Sequence, residues 1–207
     1  EAIVALQKSL DLDPSLVQAG VTLRRSYLRR GEPENTKHTL ETVLQRNPNN
    51  AEAQIAMGLF YLETNHLDLA KQFFEKAITL DPQNIVGQLD LAEVYLLQQQ
   101  PEQAIAETRK IKDLQKDNLS REASLRIQLI LGRAYLLQQK YPEAMSQLQS
   151  VTQYLPGLLI GHYSLGLVQA GSGNFEQAIG AFTKALKINP DHLPSLFNLA
   201  LTYFRLG

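Results

Sequence analysis

Residues 51–84 of this 207-residue chain read AEAQIAMGLFYLETNHLDLAKQFFEKAITLDPQN. Two segments of helical length stand on either side of a short polar turn, and Asp81-Pro82 closes the stretch. A small residue occupies one place in each segment, Gly58 in the first and Ala70 in the second, with large apolar residues beside it. Small residues let two helix backbones approach closely, so the pattern predicts an antiparallel pair of packed helices.

The same pattern recurs along the chain with a period of 34 residues. Pro14, Pro48 and Pro82 are spaced by 34, and so are Pro156 and Pro190, while the gap from Pro82 to Pro156 is two periods plus six residues. We therefore predict a single array: a half-repeat at 1–16, full repeats at 17–50, 51–84 and 85–118, an insert at 119–124, full repeats at 125–158 and 159–192, and a half-repeat at 193–207.

Three positions of the repeat carry one kind of residue nearly throughout. Position 8 is small except at Arg24, the small residues being Gly58, Ala92, Gly132, Gly166 and Ala200. Position 20 is alanine except at Thr36, the alanines being Ala2, Ala70, Ala104, Ala144 and Ala178. Position 11 is tyrosine except at Gln169, the tyrosines being Tyr27, Tyr61, Tyr95, Tyr135 and Tyr203.

These residues resemble the tetratricopeptide repeat family, whose repeat has a Leu-Gly pair, a tyrosine, spaced alanines and a closing proline. Repeat 51–84 matches at Met57-Gly58, Tyr61, Ala70, Phe74, Ala77 and Pro82. Repeat 85–118 departs at its end, where Lys116 replaces the proline. The resemblance implies an all-α fold, a right-handed superhelical solenoid of antiparallel helix-turn-helix hairpins.

Proline and glycine placement predicts the same hairpins independently. The second helices open on prolines, where a missing N–H is harmless, at Pro33, Pro101 and Pro142. Glycines follow the first helices, as expected for left-handed C-caps, at Gly31, Gly173 and Gly207. No alternating strand pattern appears in the sequence, so we expect helices only.

Composition excludes several function classes. Net charge is −1 and the pI about 6.5, so no global field attracts nucleic acid. Cysteine is absent, which removes disulfides, thiolate nucleophiles and cysteine zinc sites. Apolar runs are too short to span a bilayer, so we expect a soluble protein, for which cytoplasm and periplasm both fit. The start at Glu1 lacks an initiator Met and a basic signal-peptide segment, so we expect a piece of a longer protein. The variable repeat length and the Leu-Gln-Gln segments at 97–99 and 137–139 suggest a bacterial one.

No catalytic or metal-binding arrangement emerges from the residues. The four histidines have no ligand spacing among them: His38, His66, His162 and His192. His162 stands at position 4, where packing is the expected role. Gly171-Ser172-Gly173 follows no strand and is expected to be a hairpin turn. We therefore expect no enzyme activity, no cofactor and no metal site.

The resemblance also implies a ligand surface on the first helix of each repeat, helix A. The implied partner-binding residues are Val21, Arg25, Arg29, Ile55, Leu59, Leu89, Glu93, Leu129, Arg133, Tyr163, Leu167 and Phe197. An apolar row with a few charges suits an amphipathic helix or an extended peptide. The alternative is that position 5, which includes Val21, Ile55 and Leu89, only packs against the neighbouring helix.

Charge is uneven along the predicted groove. Repeat 17–50 carries net +3 and repeat 51–84 net −3, counting Lys and Arg against Asp and Glu. Arg25 and Arg29 share a helix face and would hold an acidic partner segment, or would simply face water. The alternation of sign argues against nucleic acid, which needs a continuous basic surface. One subclass of the family holds the C-terminal carboxylate of its partner with Lys and Asn side chains in the groove. Position 5 is apolar throughout this chain, so we expect this carboxylate clamp to be absent.

The resulting hypothesis is a non-catalytic scaffold that binds a partner peptide or helix in its groove. The alternative is a docking arm of a larger protein, such as an exopolysaccharide-export component or a glycosyltransferase, an idea prompted by the two Leu-Gln-Gln segments at 97–99 and 137–139. The half-repeats would leave Ile3, Leu6, Leu199 and Phe204 uncovered, which predicts end-to-end self-association. The insert at 119–124 would lengthen the helices beside it, or be a neutral loop variation.

Overall fold

The computed structural model describes residues 2–13, 16–115 and 118–207, and within these ranges it contains twelve α-helices and no strand. The all-α prediction is therefore confirmed. The expectations placed on Glu1, Pro14 and Lys116 lie outside the described residues. The helices are α1 (Ala2–Leu12), α2 (Val17–Arg29), α3 (Pro33–Arg46), α4 (Ala51–Glu63), α5 (Leu67–Leu80), α6 (Ile85–Leu97), α7 (Pro101–Gln115), α8 (Arg121–Leu137), α9 (Tyr141–Tyr154), α10 (Leu159–Gly171), α11 (Phe175–Ile188) and α12 (Leu193–Leu206).

Two compact units make up the chain, unit 1 at Glu1–Gln98 and unit 2 at Gln99–Gly207. Within unit 1, consecutive helices pack on one another, most extensively α4 on α5. Within unit 2 the most extensive pair is α10 on α11. The first helices of neighbouring repeats also contact each other. In unit 1, α2 contacts α4, and in unit 2, α8 contacts α10. This is the predicted repeat of helical hairpins; the exact repeat bounds and the single array stay predictions.

Small residues lie where the paired helices approach most closely. A Cβ added at Gly58 would stand 2.6 Å from the Phe74 ring, and one at Gly166 would stand 2.6 Å from the Phe182 ring. Gly132 approaches Leu148 in the same way. The position-20 alanines of four repeats are fully buried: Ala70, Ala104, Ala144 and Ala178. The predicted role of positions 8 and 20 is confirmed at these sites, but not at Ala2 and Ala200 of the two half-repeats, which are exposed.

Repeat 17–50 packs its two helices without a small residue at position 8 or an alanine at position 20. Its position 8 is Arg24, whose side chain is buried and forms an ion pair with Glu63 of the next repeat. The close approach moves one helical turn earlier, to Gly20, where an added Cβ would lie 2.7 Å from Val43 Cγ2. Thr36, the exception at position 20, is fully buried and donates its hydroxyl to the Glu32 carbonyl.

The turns inside the hairpins are alike in every repeat. Gly31, Gly173 and Gly207 have positive φ, as predicted, and the equivalent residues Asn65, Gln99 and Gln139 also have φ near +60°. The following N–H reaches back into the last turn of the first helix, as from His66 to the Tyr61 carbonyl at 2.7 Å. This is the hydrogen-bond pattern of a left-handed helix C-cap. Prolines open α3 and α7 and stand second in α9, also as predicted.

The two Leu-Gln-Gln segments have a structural role in these turns. Gln98 Nε2 donates to Asp68 Oδ1 at 2.8 Å, and Gln138 Nε2 donates to Glu102 Oε1 at 2.8 Å. The bond from Gln138 lowers the pKa of the Glu102 carboxyl, because the donor favours the charged form. In both segments the second glutamine takes the left-handed turn conformation.

Most of the predicted insert is helical. Helix α8 begins at Arg121 and has 17 residues, against 13 in α4 and in α10. Ser120 caps it, since its hydroxyl oxygen accepts the Ala123 N–H at 3.1 Å. The Arg121 guanidinium lies 4.2 Å from the Tyr154 ring centre and ties the extra turn to α9. The expected early start of this helix is confirmed.

Candidate functional site

Four of the predicted groove residues line one cavity of about 340 Å³ in unit 1. They are Val21 and Arg25 on α2 and Ile55 and Leu59 on α4. The remaining lining residues are Arg24, Glu52, Ala56, Asn84 and Val86. Each pair is four residues apart on its helix, which places both side chains on one face. First helices of three successive repeats thus contribute to one concavity that we call the helix-A cavity.

The helix-A cavity has an apolar wall and a charged rim. Ile55 is 6% exposed, whereas Val21 and Leu59 are half-buried and present part of their surface to the opening. Arg25 is exposed and forms no ion pair or hydrogen bond with the described residues. Its neighbour Arg24 is already neutralised by Glu63. The guanidinium of Arg25 is therefore available to pair with an acidic group of a ligand in the cavity.

Two further polar residues that line the cavity, Asn84 and Glu52, come from helix starts. Asn84 precedes α6, and its Oδ1 accepts the Gly87 N–H at 3.2 Å. Glu52 is an exposed residue of the first turn of α4, where a carboxylate is favoured by the helix dipole. A ligand in this cavity would meet an arginine and a carboxylate on an otherwise apolar surface.

The other predicted site residues are distributed over both units. In unit 1, Arg29 is exposed on α2, Leu89 is 2% exposed on α6, and Glu93 is half-buried there. The burial of Ile55 and Leu89 is what the packing alternative for position 5 predicts, and their role in binding stays a prediction. The predicted residues of unit 2 on α8 and α10 are half-buried, and they are Leu129, Arg133, Tyr163 and Leu167. Phe197 of α12 is 68% exposed.

Tyr163 is the most constrained of the unit 2 residues. Its ring lies 5.2 Å from the His192 ring and 6.1 Å from the Phe182 ring, measured between centres. Asn198 Nδ2 donates to its hydroxyl oxygen at 3.4 Å. Burial raises the pKa of the Tyr163 hydroxyl above its ordinary value, because it disfavours the charged form.

A recurrent hydrogen bond at position 4 was missed by the sequence reasoning. Gln54 Nε2 donates to the Pro48 carbonyl at 2.8 Å and Gln88 Nε2 to the Pro82 carbonyl at 2.9 Å. His162 Nε2 bonds the Pro156 carbonyl at 2.9 Å in the same way. The signal was present as a proline followed six residues later by Gln or His. His162 is buried, so its predicted packing role is confirmed.

Neither a metal-ion site nor a membrane-spanning helix is found among the residues that the structure describes. Across residues 2–13, 16–115 and 118–207, no group of three or more His, Asp or Glu side chains is placed to hold a metal ion. None of the helices in these ranges has the length and apolar character needed to cross a membrane. Gly171-Ser172-Gly173 is the predicted hairpin turn, with φ of +78° at Gly173.

Comparison with solved structures gives the same fold throughout. The Cut9–Hcn1 hetero-tetramer of APC/C is 18% identical with a TM-score of 0.84, over 97% of this chain but only 39% of that one. YrrB, described as a TPR protein with an unusual peptide-binding site, is 23% identical with a TM-score of 0.61, over 93% and 96%. TTC0263, a thermophilic TPR protein of Thermus thermophilus, is 18% identical with a TM-score of 0.72, over 91% and 99%. At these identities the likeness concerns the fold.

Sequence comparison identifies the repeats themselves. No curated protein matches the chain. One family model described as tetratricopeptide repeat matches residues 27–74 and 61–126, and a second with the same description matches 160–192. Together they cover more than half of the chain, in both units. The matched segments include the close approaches at Gly58 and Gly166 and the turns at Gly31, Asn65 and Gly173, and the chain belongs to the tetratricopeptide repeat family.

Proposed function

We propose that the protein is a non-catalytic interaction scaffold that binds a segment of another protein in the helix-A cavity. The observation that carries the proposal is the grouping of Val21, Ile55 and Leu59 with the unpaired Arg25 in one cavity of unit 1. An apolar wall beside one free positive charge suits an amphipathic peptide. We expect its apolar side chain to cover Leu59 and an acidic side chain to pair with Arg25.

The relatives support this type of function in general terms. YrrB is described as having a peptide-binding site, and Cut9 and Hcn1 form a hetero-tetramer. Repeat arrays use extended surfaces of this kind to bind partners. The three relatives named above give no support to the alternative of a docking arm for export or glycosyl transfer.

The test is a peptide selection followed by matched substitutions. The full chain is immobilised and peptides are selected from a displayed library, without assuming a natural partner. Leu59→Glu should weaken the best peptide at least about tenfold, because it places a carboxylate on the apolar wall. Leu69→Glu is the control, since Leu69 is 37% exposed on α5 and does not line the cavity. Equal affinity in both variants, with helicity retained by circular dichroism, would refute the cavity as the site.

We also propose that the chain self-associates end to end, with α12 as the main surface, because Ile3, Leu6 and Leu199, which the sequence predicts to be uncovered, are half-buried. Its outward face exposes three aromatic rings: Phe197 at 68%, Tyr203 at 54% and Phe204 at 85%. An apolar patch of this kind is a common association surface. Sedimentation velocity should show a concentration-dependent dimer that Phe204→Glu dissociates. A monomer for the unmodified chain at every accessible concentration contradicts the proposal.

A further inference from the structure

Helices α7 and α8 of unit 2 enclose a small cavity that has two basic residues in its lining. The cavity measures about 110 Å³, and its lining residues are Ile105, Thr108, Arg109 and Lys112 of α7 and Leu131 and Tyr135 of α8. We call it the basic cavity. None of its residues is among the groove residues predicted from the sequence.

The donor groups of the basic cavity can be reached from solvent. Arg109 and Lys112 are exposed, and the side chain of neither forms an ion pair with a residue that the structure describes. Residues three apart on a helix have Cβ atoms about 5–6 Å from each other, so both long side chains can turn towards one group. Tyr135 is half-buried, and its hydroxyl is unpaired without being buried. Two cations and one hydroxyl can therefore donate to a single ligand at the opening.

The acidic residues of α7 do not neutralise these two cations. Glu107 pairs with Lys110, whose Nζ lies 2.6 Å from its Oε1. Glu102 stands in the first turn of the helix, two turns before Arg109. Asp113 is exposed and forms no ion pair with Arg109, although it follows four residues later. Within the described residues, the lining of the cavity thus carries two positive charges and no negative one.

The equivalent positions of the other full repeats are not basic. Arg109 stands at position 25, where the other repeats have Glu41, Glu75, Gln149 and Thr183. Lys112 stands at position 28, where they have Leu44, Ile78, Thr152 and Leu186, all of them half-buried. Packing of the hairpins requires a cation at neither position, so the repeat fold does not account for the pair.

The lining favours a phosphate monoester as the ligand. Two positive charges match a group that carries about −1.5 to −2 at neutral pH and has three acceptor oxygens. A carboxylate or a phosphodiester carries one charge and would leave one of the two cations without a partner. Ile105 and Leu131 add apolar surface that can cover the carbon bearing the phosphate. The volume is only a few times the roughly 30 Å³ share of one water, so a nucleotide base or a sugar ring would stay outside.

We propose that the basic cavity binds a phosphorylated serine or threonine side chain of a partner protein. The planar guanidinium of Arg109 offers two parallel N–H donors to two phosphate oxygens, and Lys112 and the Tyr135 hydroxyl donate to the others. The cavity lies wholly in unit 2. The inference therefore does not rest on peptide binding in the helix-A cavity of unit 1.

The experiment titrates the full chain with N-acetyl-O-phospho-L-serine methylamide at low ionic strength, while NMR follows the backbone amides of Arg109, Lys112 and Tyr135. We expect saturable shifts at these residues, and none with the unphosphorylated serine probe. N-acetyl-L-glutamate methylamide, with a single charge, should bind at least about fivefold more weakly. Inorganic phosphate should also bind more weakly, because it lacks the carbon that Ile105 and Leu131 would cover. Absence of saturable shifts, equal binding of the glutamate probe, or inorganic phosphate binding as tightly as the phosphoserine probe would each overturn the proposal.

Three substitutions separate this site from a general effect of charge. Arg109→Gln and Lys112→Gln should each reduce affinity for the phosphoserine probe at least about fivefold, while the thermal transition is kept because both residues are exposed. Lys187→Gln removes the same charge from an exposed position of α11 that does not line the cavity, and it is the matched control. It should change affinity by a factor of less than about two. Unchanged affinity in the first two variants, or an equal loss in all three, would contradict the assigned site.

Discussion

Repeats 51–84 and 159–192 share the residues that hold their helices together and differ in the residues beside them. Gly58 lies against Phe74 in one, and Gly166 lies against Phe182 in the other. In both, a Cβ added to the glycine would stand 2.6 Å from the nearest ring atom. At positions 11 and 23 the first has Tyr61 and Phe73, in contact as stacked rings, whereas the second has Gln169 and Ala181. The hairpin is therefore set by one group of positions, and the chemistry of its surface by another.

The largest effect should come from the shared position 24. Phe74→Ala and Phe182→Ala each remove a fully buried ring. We expect each to lower the free energy of unfolding by about 3–5 kcal/mol, through lost burial and the cavity left behind. Chemical denaturation followed by circular dichroism measures both. A large loss in one repeat and none in the other would break the comparison, because the ring would then not have the same role in both.

A smaller loss should follow from filling the close approach itself. Gly58→Ala and Gly166→Ala push a methyl group against a ring, and overpacking of this kind costs about 1–3 kcal/mol. Gly180→Ala is the matched control, since its added Cβ meets no atom within 4 Å and alanine favours the α11 helix. We expect that control to gain up to about 1 kcal/mol. Chemical denaturation followed by circular dichroism measures all three variants. A Gly58→Ala variant more stable than the unmodified chain would count against close packing of the two helices.

The smallest effect should be the coupling between the stacked rings. A double-mutant cycle of Tyr61→Leu and Phe73→Leu should give an interaction of about 0.5–1.5 kcal/mol in free energy of unfolding. The reciprocal change, Gln169→Tyr with Ala181→Phe, should recover a coupling of the same sign in unit 2. Additive changes in both cycles would show that the residues at positions 11 and 23 do not interact, and that the stacked rings add nothing to the free energy of unfolding.

Much of the fold could be predicted because its determinants are local. Pro33, Pro101 and Pro142 mark helix starts by their missing N–H, and Gly31 and Gly173 mark turns by their positive φ. The 34-residue period then places each helix against the next. Asn65, Gln99 and Gln139 adopt the same turn without being glycine, so residue type alone does not reveal them.

The site could be predicted only where repeat position decides the direction of a side chain. Repeat position placed Val21 and Ile55 on one surface, and both line the helix-A cavity, but the burial of Ile55 and Leu89 depends on neighbouring helices. Arg24 departs from the repeat pattern in the sequence, yet its ion pair with Glu63 joins residues 39 apart and has no local signal.

Binding by the first helices of unit 1 is the claim on which the functional account rests. Hydrogen exchange of the full chain, with and without the best selected peptide, tests it without any substitution. The account predicts slower exchange at amides of α2 and α4 around Arg25 and Leu59. Protection confined to α3 and α5, with α2 and α4 unchanged, would contradict it.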